Sequence, residues 1–258
     1  MTRSEAQRLR APIVLVHGLL GFARIRLGRW ELTRYFPGIE EWLQSAGNRV
    51  AAANLSLTRG IADRAQELRR FIRATFPNEQ VHILAHSMGG LDARYMISRL
   101  DMGDRILTLT TFGTPHRGCT FADWGLSKFN WMIRPFFRLW GMCDRAFQDL
   151  TTDSCRRFNE EVLDVPGVRY FSVAGRCDSS LVRPPYWLPH HIVSEREGAN
   201  DSIVSLATAS HGEAFEVWDS DHLSLVNWTN RKAHARGLWT DRLGDYQRVV
   251  GRLAGLGC

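Results

Sequence analysis

No apolar run in these 258 residues approaches the roughly 20 consecutive residues that a bilayer-spanning helix requires, so a membrane span is not expected. Cysteine is scarce and odd in number, with Cys119, Cys143, Cys155, Cys177 and Cys258 and no CxxC spacing. That excludes a zinc-finger pattern and a disulfide-stapled framework; it fits reduced thiols and still allows one disulfide. Internal repeats and low-complexity linkers are absent, which argues for one domain over 1–258. The net charge is +6, yet the arginines are scattered rather than clustered and no nucleic-acid motif occurs. A nucleic-acid partner is therefore not expected. Met1 to Arg10 is polar and basic, and the first apolar run, Ile13 to Val16, leads straight into His17-Gly18. Read as a core strand rather than a secretion signal, it points to a cytoplasmic protein.

What is present is an alternation of strands and helices. Ile13–Val16, Val50–Asn54, Val81–Ala85, Ile106–Phe112, Val168–Val173 and Phe215–Trp218 have the apolar density of buried strands. Between them, Ile39, Trp42, Leu43 and Ala46 recur at helical spacing, as do Ile61, Ala65, Leu68, Ile72 and Phe76 up to Pro77. Leu91 to Leu100 predicts another helix, and Leu243, Tyr246, Val250 and Leu253 predict one that covers a sheet face. The pattern implies an α/β fold with a mainly parallel sheet and helices on both faces. Two segments interrupt it: Gly118 to Leu150, rich in aromatics, and the proline-rich Arg176 to Gly198, expected to be irregular.

Ala85-His86-Ser87-Met88-Gly89-Gly90 lies between a buried strand and a helix. A serine there, with small residues two positions to either side, has the form of a nucleophile elbow; a turn with a capping serine is the plainer alternative. A serine hydroxyl needs a base and an orienting acid, in this fold in the order Ser, Asp or Glu, His. His222 follows the last strand by four residues. The acid is Asp201, three residues before Val204, with Asp178 as the alternative. Two N–H donors would hold an oxyanion: Met88, just after the serine, and Leu19, in the loop after the first strand. His86 and Asp92 are read as structural, and His116 as shaping its loop.

Taken together, several motifs resemble the bacterial true lipases of the pseudomonad type: Pro12 to Phe22, Tyr35-Phe36-Pro37-Gly38-Ile39, Gly113-Thr114-Pro115-His116-Arg117-Gly118, Ala199 to Ser205 and Asp221-His222-Leu223, in that order. The elbow itself is similar to that of the small Bacillus-type lipases, with alanine at its first small position. The resemblance runs from about Pro12 to Asn227 and thins between Cys119 and Pro166. It implies an α/β-hydrolase fold, a Ser87–Asp201–His222 triad and Leu19 and Met88 as oxyanion residues. It also implies a structural calcium held partly by an aspartate two residues after the histidine. Here Ser224 stands in that place, so no metal is expected, nor any other cofactor.

The aromatic segment carries Trp124, and beyond it Phe129, Ile133, Phe136, Phe137 and Trp140 lie along one helical stripe. With residues 118–166 this forms an expected lid or cap insertion whose apolar face covers an acyl pocket; a helix simply packed on the core is the other reading. Tyr186 and Trp187 are weaker candidates for the pocket wall. The function expected is cleavage of carboxylic, lipid-like esters through an acyl-enzyme on Ser87. Thioester hydrolysis or acyl transfer by the same triad is the alternative, and a non-catalytic binding module a more remote one. The expected partners are the ester and a lipid surface, to which the basic charge is suited.

Overall fold

The computed structural model describes residues 8–21, 24–27, 30–128 and 145–257. In chain order the strands are β1 (Ile13–Val16), β2 (Arg24–Leu27), β3 (Trp30–Arg34), β4 (Val50–Ala53), β5 (Val81–His86), β6 (Ile106–Phe112), β7 (Arg169–Gly175) and β8 (Ala214–Trp218). The helices are α1 (Ile39–Ser45), α2 (Ile61–Thr75), α3 (Met88–Arg99), α4 (120–128), α5 (Arg145–Asp149), α6 (Thr152–Glu161), α7 (Trp187–Glu197), α8 (Leu206–Ala209), α9 (Arg231–Ala235) and α10 (Leu243–Gly255).

Six strands form one parallel sheet in the order β4-β1-β5-β6-β7-β8, while β2 and β3 pair separately as an antiparallel hairpin. The inner strands β1, β5, β6 and β7 are buried on both faces, which is why they read as apolar runs, whereas the edge strand β8 exposes Phe215 and Val217. Val14 and Val16 of β1 face a core shared with Leu68 and Ile72 of α2 and Met96 and Ile97 of α3. Ile13 and Leu15 face the opposite core, with Leu43 of α1 and Tyr246, Val250 and Leu253 of α10.

The chain leaves β1 for the β4 edge and returns across β1 to β5, so strand order reverses at β1. Ligand crevices in such sheets form at the carboxyl ends of the strands beside that reversal. Register brings the critical loops level there: Val16 pairs with Ala85, and His86 with Phe112. Gly175 pairs with Trp218, so the loop that carries His222 starts beside the end of β7.

Three expectations are corrected. The helix after the serine begins at Met88 rather than Leu91. The proline-rich segment is not irregular throughout, because α7 occupies Trp187–Glu197, with Pro189 in its first turn, where a missing N–H costs no helical bond. The β2–β3 hairpin was not anticipated. Cys119, Cys155 and Cys177 are free thiols.

Candidate active site

The backbone of Ser87 has φ 54° and ψ −132°, a conformation that non-glycine residues rarely hold. It is over-determined by its neighbours. The Ser87 N–H donates to Phe112 O at 2.9 Å, and its carbonyl accepts from Thr114 Oγ1 at 2.7 Å and from the Gly90 N–H at 3.0 Å. Close approach explains two glycines: a Cβ on Gly89 would lie 2.7 Å from His17 O, and one on Gly18 2.7 Å from Ser87 Cβ. Ser87 Oγ carries no hydrogen bond among the described residues and opens into a cavity that His222 also lines.

The loop after β1 aims its peptides through buried polar side chains. Arg64 Nη2 donates to His17 O at 2.8 Å and, more weakly, to Gly18 O at 3.4 Å, while its Nε is 2.8 Å from Asp92 Oδ2. Arg64 and Asp92 are both fully buried, and burial lifts the Asp92 carboxyl to about 7 against the pull of Arg64. His17 Nε2 accepts from the Leu55 N–H at 3.0 Å, so its proton sits on Nδ1, which donates to Gly18 O at 2.9 Å. Burial first, then Arg64, lowers the His17 pKa to about 4 and keeps the ring neutral. With Gly18 C=O held on that side, the trans peptide turns the Leu19 N–H the opposite way. Leu20 N–H donates to Leu57 O and Gly21 N–H to Gly18 O, whereas the Leu19 and Met88 N–H groups have no acceptor among the described residues. Met88 is also the first residue of α3, where the helix dipole favours negative charge.

On the other side of the cavity, His222 Nδ1 is 2.7 Å from Asp201 Oδ2, and the His222 N–H donates to Asp201 O at 2.7 Å. Asp201 is fully buried. Its Oδ1 accepts from the N–H groups of Ile203 and Val204 at 3.0 and 2.8 Å, leaving Oδ2 for the imidazole. Nδ1 therefore carries the proton and Nε2 is left as an acceptor. Asp178 instead caps a short turn by accepting from the Ser180 N–H, on the exposed surface.

Two residues link these halves that sequence reasoning did not assign to the site. Tyr35 Oη accepts from the Gly18 N–H at 3.3 Å and donates to His86 Nδ1 at 2.8 Å. His86 Nε2 donates in turn to His222 O at 2.9 Å. His86 is fully buried, and desolvation with the neighbouring His222 pushes its pKa well below the usual histidine range. The signal available for Tyr35 was the Tyr35 to Ile39 motif, which carried no chemistry by itself; Arg64 gave none beyond its place on a periodic helix.

The cavity has a volume of about 450 Å³ and is mainly apolar. Leu19 and Leu20, Phe121 and Ala122 of α4, Phe147 of α5, and Pro185 and Tyr186 line it. Trp124 does not reach it and stacks on Phe121 with ring centroids 5.9 Å apart; Trp187 is 64% exposed. Phe129, Ile133, Phe136, Phe137 and Trp140 lie outside the described residues. Cys119 borders the cavity, but burial raises its thiol to about 12, so it is no competing nucleophile. His116 is buried away from the cavity and stacks on His211.

The donors near Ser224 do not fit a metal ion. Both oxygens of Asp221 and the Ser224 hydroxyl are engaged by side chains and main chain, including the guanidinium of Arg183. Among the described residues, no group of three or more histidine, cysteine, aspartate or glutamate side chains could hold one.

Comparison with known proteins bears on the family and the fold. The family described as a PGAP1-like alpha/beta domain matches residues 59–231. Triacylglycerol lipase 2 of Saccharomyces cerevisiae is 33% identical over 215 residues, covering 76% of this chain and 63% of that protein. A triacylglycerol lipase of Pseudarthrobacter phenanthrenivorans is 36% identical over 120 residues, covering 44% of this chain and 36% of that protein. The chain thus spans less than two thirds of the length of these curated relatives. Among solved structures, the mature Bacillus licheniformis lipase BlEst2 superposes with a TM-score of 0.71 at 20% identity, covering 93% of this chain and 91% of the other. The fold is that of the α/β-hydrolases.

Proposed function

The chain belongs to the PGAP1-like alpha/beta domain family, and from that premise we propose a serine hydrolase that cleaves carboxylic esters with an apolar acyl group. The observation that carries the reading is that Ser87, His222 and Leu19 line one apolar cavity, with Asp201 behind His222 and the Leu19 and Met88 N–H groups without acceptors among the described residues. The relatives named as triacylglycerol lipases support it.

In the proposed reaction, His222 Nε2 takes the Ser87 proton as Oγ attacks the ester carbonyl. Asp201 holds the Nδ1 proton and stabilises the imidazolium as it forms. The developing oxyanion is received by the N–H groups of Leu19 and Met88, each worth about 3 kcal/mol to the transition state. The imidazolium then gives its proton to the leaving alkoxide, and the acyl-enzyme remains. Water, deprotonated by His222, attacks it through a second oxyanion and releases the acid. Because the donors are main-chain groups, side-chain changes at Leu19 or Met88 act only through geometry. The acyl chain lies against Phe121, Phe147 and Leu150, with a lipid-like ester as the substrate class and a lipid surface as its source.

Initial rates on p-nitrophenyl esters from acetate to palmitate, for wild type and Ser87→Ala, test the reading. Ser87-dependent activity that rises beyond acetate is the expected result. Activity confined to acetate would discard the acyl-chain assignment. Turnover of acyl thioesters but of no oxygen ester would replace the reading with a thioesterase, and no Ser87-dependent turnover of either would overturn it.

A further inference from the structure

Asp221 precedes the histidine by one residue and is almost wholly buried, yet it is absent from the proposed chemistry. Its surroundings are unusually complete. Oδ1 accepts from the N–H groups of Leu223 and Ser224, both at 3.0 Å, and from Arg183 Nε at 3.1 Å. Oδ2 accepts from Ser224 Oγ at 2.9 Å and Asn230 Nδ2 at 2.6 Å. The rest of the Arg183 fork is equally committed. Nη2 donates to Ser224 Oγ at 3.1 Å and Trp228 O at 2.9 Å, and Nη1 donates to Thr229 O at 3.0 Å. One guanidinium therefore gathers a carboxylate, a hydroxyl and two carbonyls from residues 221–229, oxygen donors of the kind that a divalent cation otherwise collects.

Arg183 also stands where two parts of the cavity wall meet. Pro185 and Tyr186 follow it two and three residues later, and the loop that it grips contributes His222, Leu223 and Trp228 to the same cavity. Its side chain is 17% exposed, so solvent screens the charge little. The planar fork can satisfy several acceptors at once, which an ammonium cannot.

We infer that Arg183 is a positioning residue for His222, a covalently attached cation that folds the 221–229 loop around Asp221 and sets the imidazole over Ser87. The inference rests on the hydrolase reading for its effect on rate, but not for its effect on the loop. It also accounts for the misfit with a metal ion: the oxygens that would bind one already have their counter-charge.

The test compares wild type, Arg183→Met, Arg183→Lys and Arg183→Ala by steady-state kinetics on p-nitrophenyl butyrate and by amide hydrogen exchange. In Arg183→Met, kcat falls by about 100-fold through misplacement of the base, while KM stays within about twofold. Exchange quickens at Leu223 and Ser224 and is unchanged in β1 and β5. Lysine restores the charge without the fork and recovers part of kcat. The neighbouring 560 Å³ cavity, lined by Asp221, Ser224 and Asn230, gives a small guanidine access. Ethylguanidine therefore raises the kcat of Arg183→Ala in a saturable way, and methylammonium at the same concentration does so less. A loss confined to KM would make Arg183 a wall residue and overturn the inference, as would exchange that quickens equally in every strand. Should Arg183→Met not fold, unchanged kcat and loop exchange in Arg183→Lys, with no guanidine effect on Arg183→Ala, would equally overturn it. If wild type itself turns over no ester, the hydrolase reading fails, and loop exchange alone decides the role of Arg183.

Discussion

Ser87 and the N–H groups around it are positioned by bonds that end on main chain, several of them from buried side chains such as Arg64 and Thr114, whereas His222 and Asp201 are linked through their own side chains across distant parts of the sequence. On the serine side, β1 and β5 lie in register, the elbow backbone is locked by bonds to Phe112, Thr114 and Gly90, and Arg64, anchored on Asp92, grips the His17 and Gly18 carbonyls. On the histidine side, Asp201 reaches across 21 residues to His222, and Arg183 across 38 to Asp221. A geometry made of main chain admits few intermediate states, because one displaced peptide disturbs every N–H that follows. A geometry made of side chains can be loosened one bond at a time. The first half should therefore fail abruptly, with loss of stability, and the second by degrees, with the fold intact.

The largest expected effect strikes the side-chain half. Asp201→Asn keeps the shape of the carboxylate but favours the wrong imidazole tautomer, so kcat falls by about 10⁴-fold. Ester kinetics alongside a thermal melt check this, with Tm expected to change little. Residual activity within tenfold of wild type would mean that another group orients the base. Arg64→Met comes next. It frees the Gly18–Leu19 peptide and costs about 10²- to 10³-fold in kcat, the loss of one oxyanion donor. It also lowers Tm, because Asp92 stays buried without its partner. Adding Asp92→Leu should restore Tm but not kcat. If both return together, Arg64 acts through stability alone and does not aim the Leu19 N–H.

The helices and parallel strands were legible because burial on both sheet faces leaves a strong apolar signal, and the elbow because its steric demands are local. Met88 was missed as a helix start because Gly89 and Gly90 are poor helix formers; at Gly89, contact with His17 O leaves no room for a side chain. Trp187–Glu197 was missed because three nearby prolines dominate its local pattern, although Pro189 falls in a permitted position. Arg64 and Arg183 left no trace as site-shaping residues, Tyr35 only a motif without chemistry and His86 only a structural reading, since each acts through partners far along the chain. The serine half was thus read from its motif. Its supports were not.

The smallest effect distinguishes the halves by pH. His17 and His86 support the serine side, and His82 and His116 lie in the core below it; burial lowers the pKa of all four, to about 4 for His17 and His82. In the unfolded chain each returns to near 6.5, so below that pH the unfolded state binds more protons. The histidine contribution to stability is therefore full above about pH 6.5 and falls as pH drops toward 4, by roughly 1 kcal/mol per pH unit for each such histidine, offset in part by Asp92, whose raised folded pKa of about 7 acts with the opposite sign. Urea unfolding between pH 7.5 and 4.5 measures the slope. A flat profile would mean that these rings are not held neutral, and that the main-chain half is less rigid than its hydrogen bonds imply.

Ser87 itself carries a last consequence. Its backbone sits at φ 54° and ψ −132°, where glycine is at ease and serine is not, at a cost of order 1–3 kcal/mol to every folded molecule. Nothing in the packing requires a hydroxyl there; a glycine would satisfy the same turn. The fold would gain stability by losing the hydroxyl proposed as its nucleophile, so stability and the proposed chemistry pull in opposite directions at this one position. A chain selected for durability alone would favour glycine over serine at residue 87.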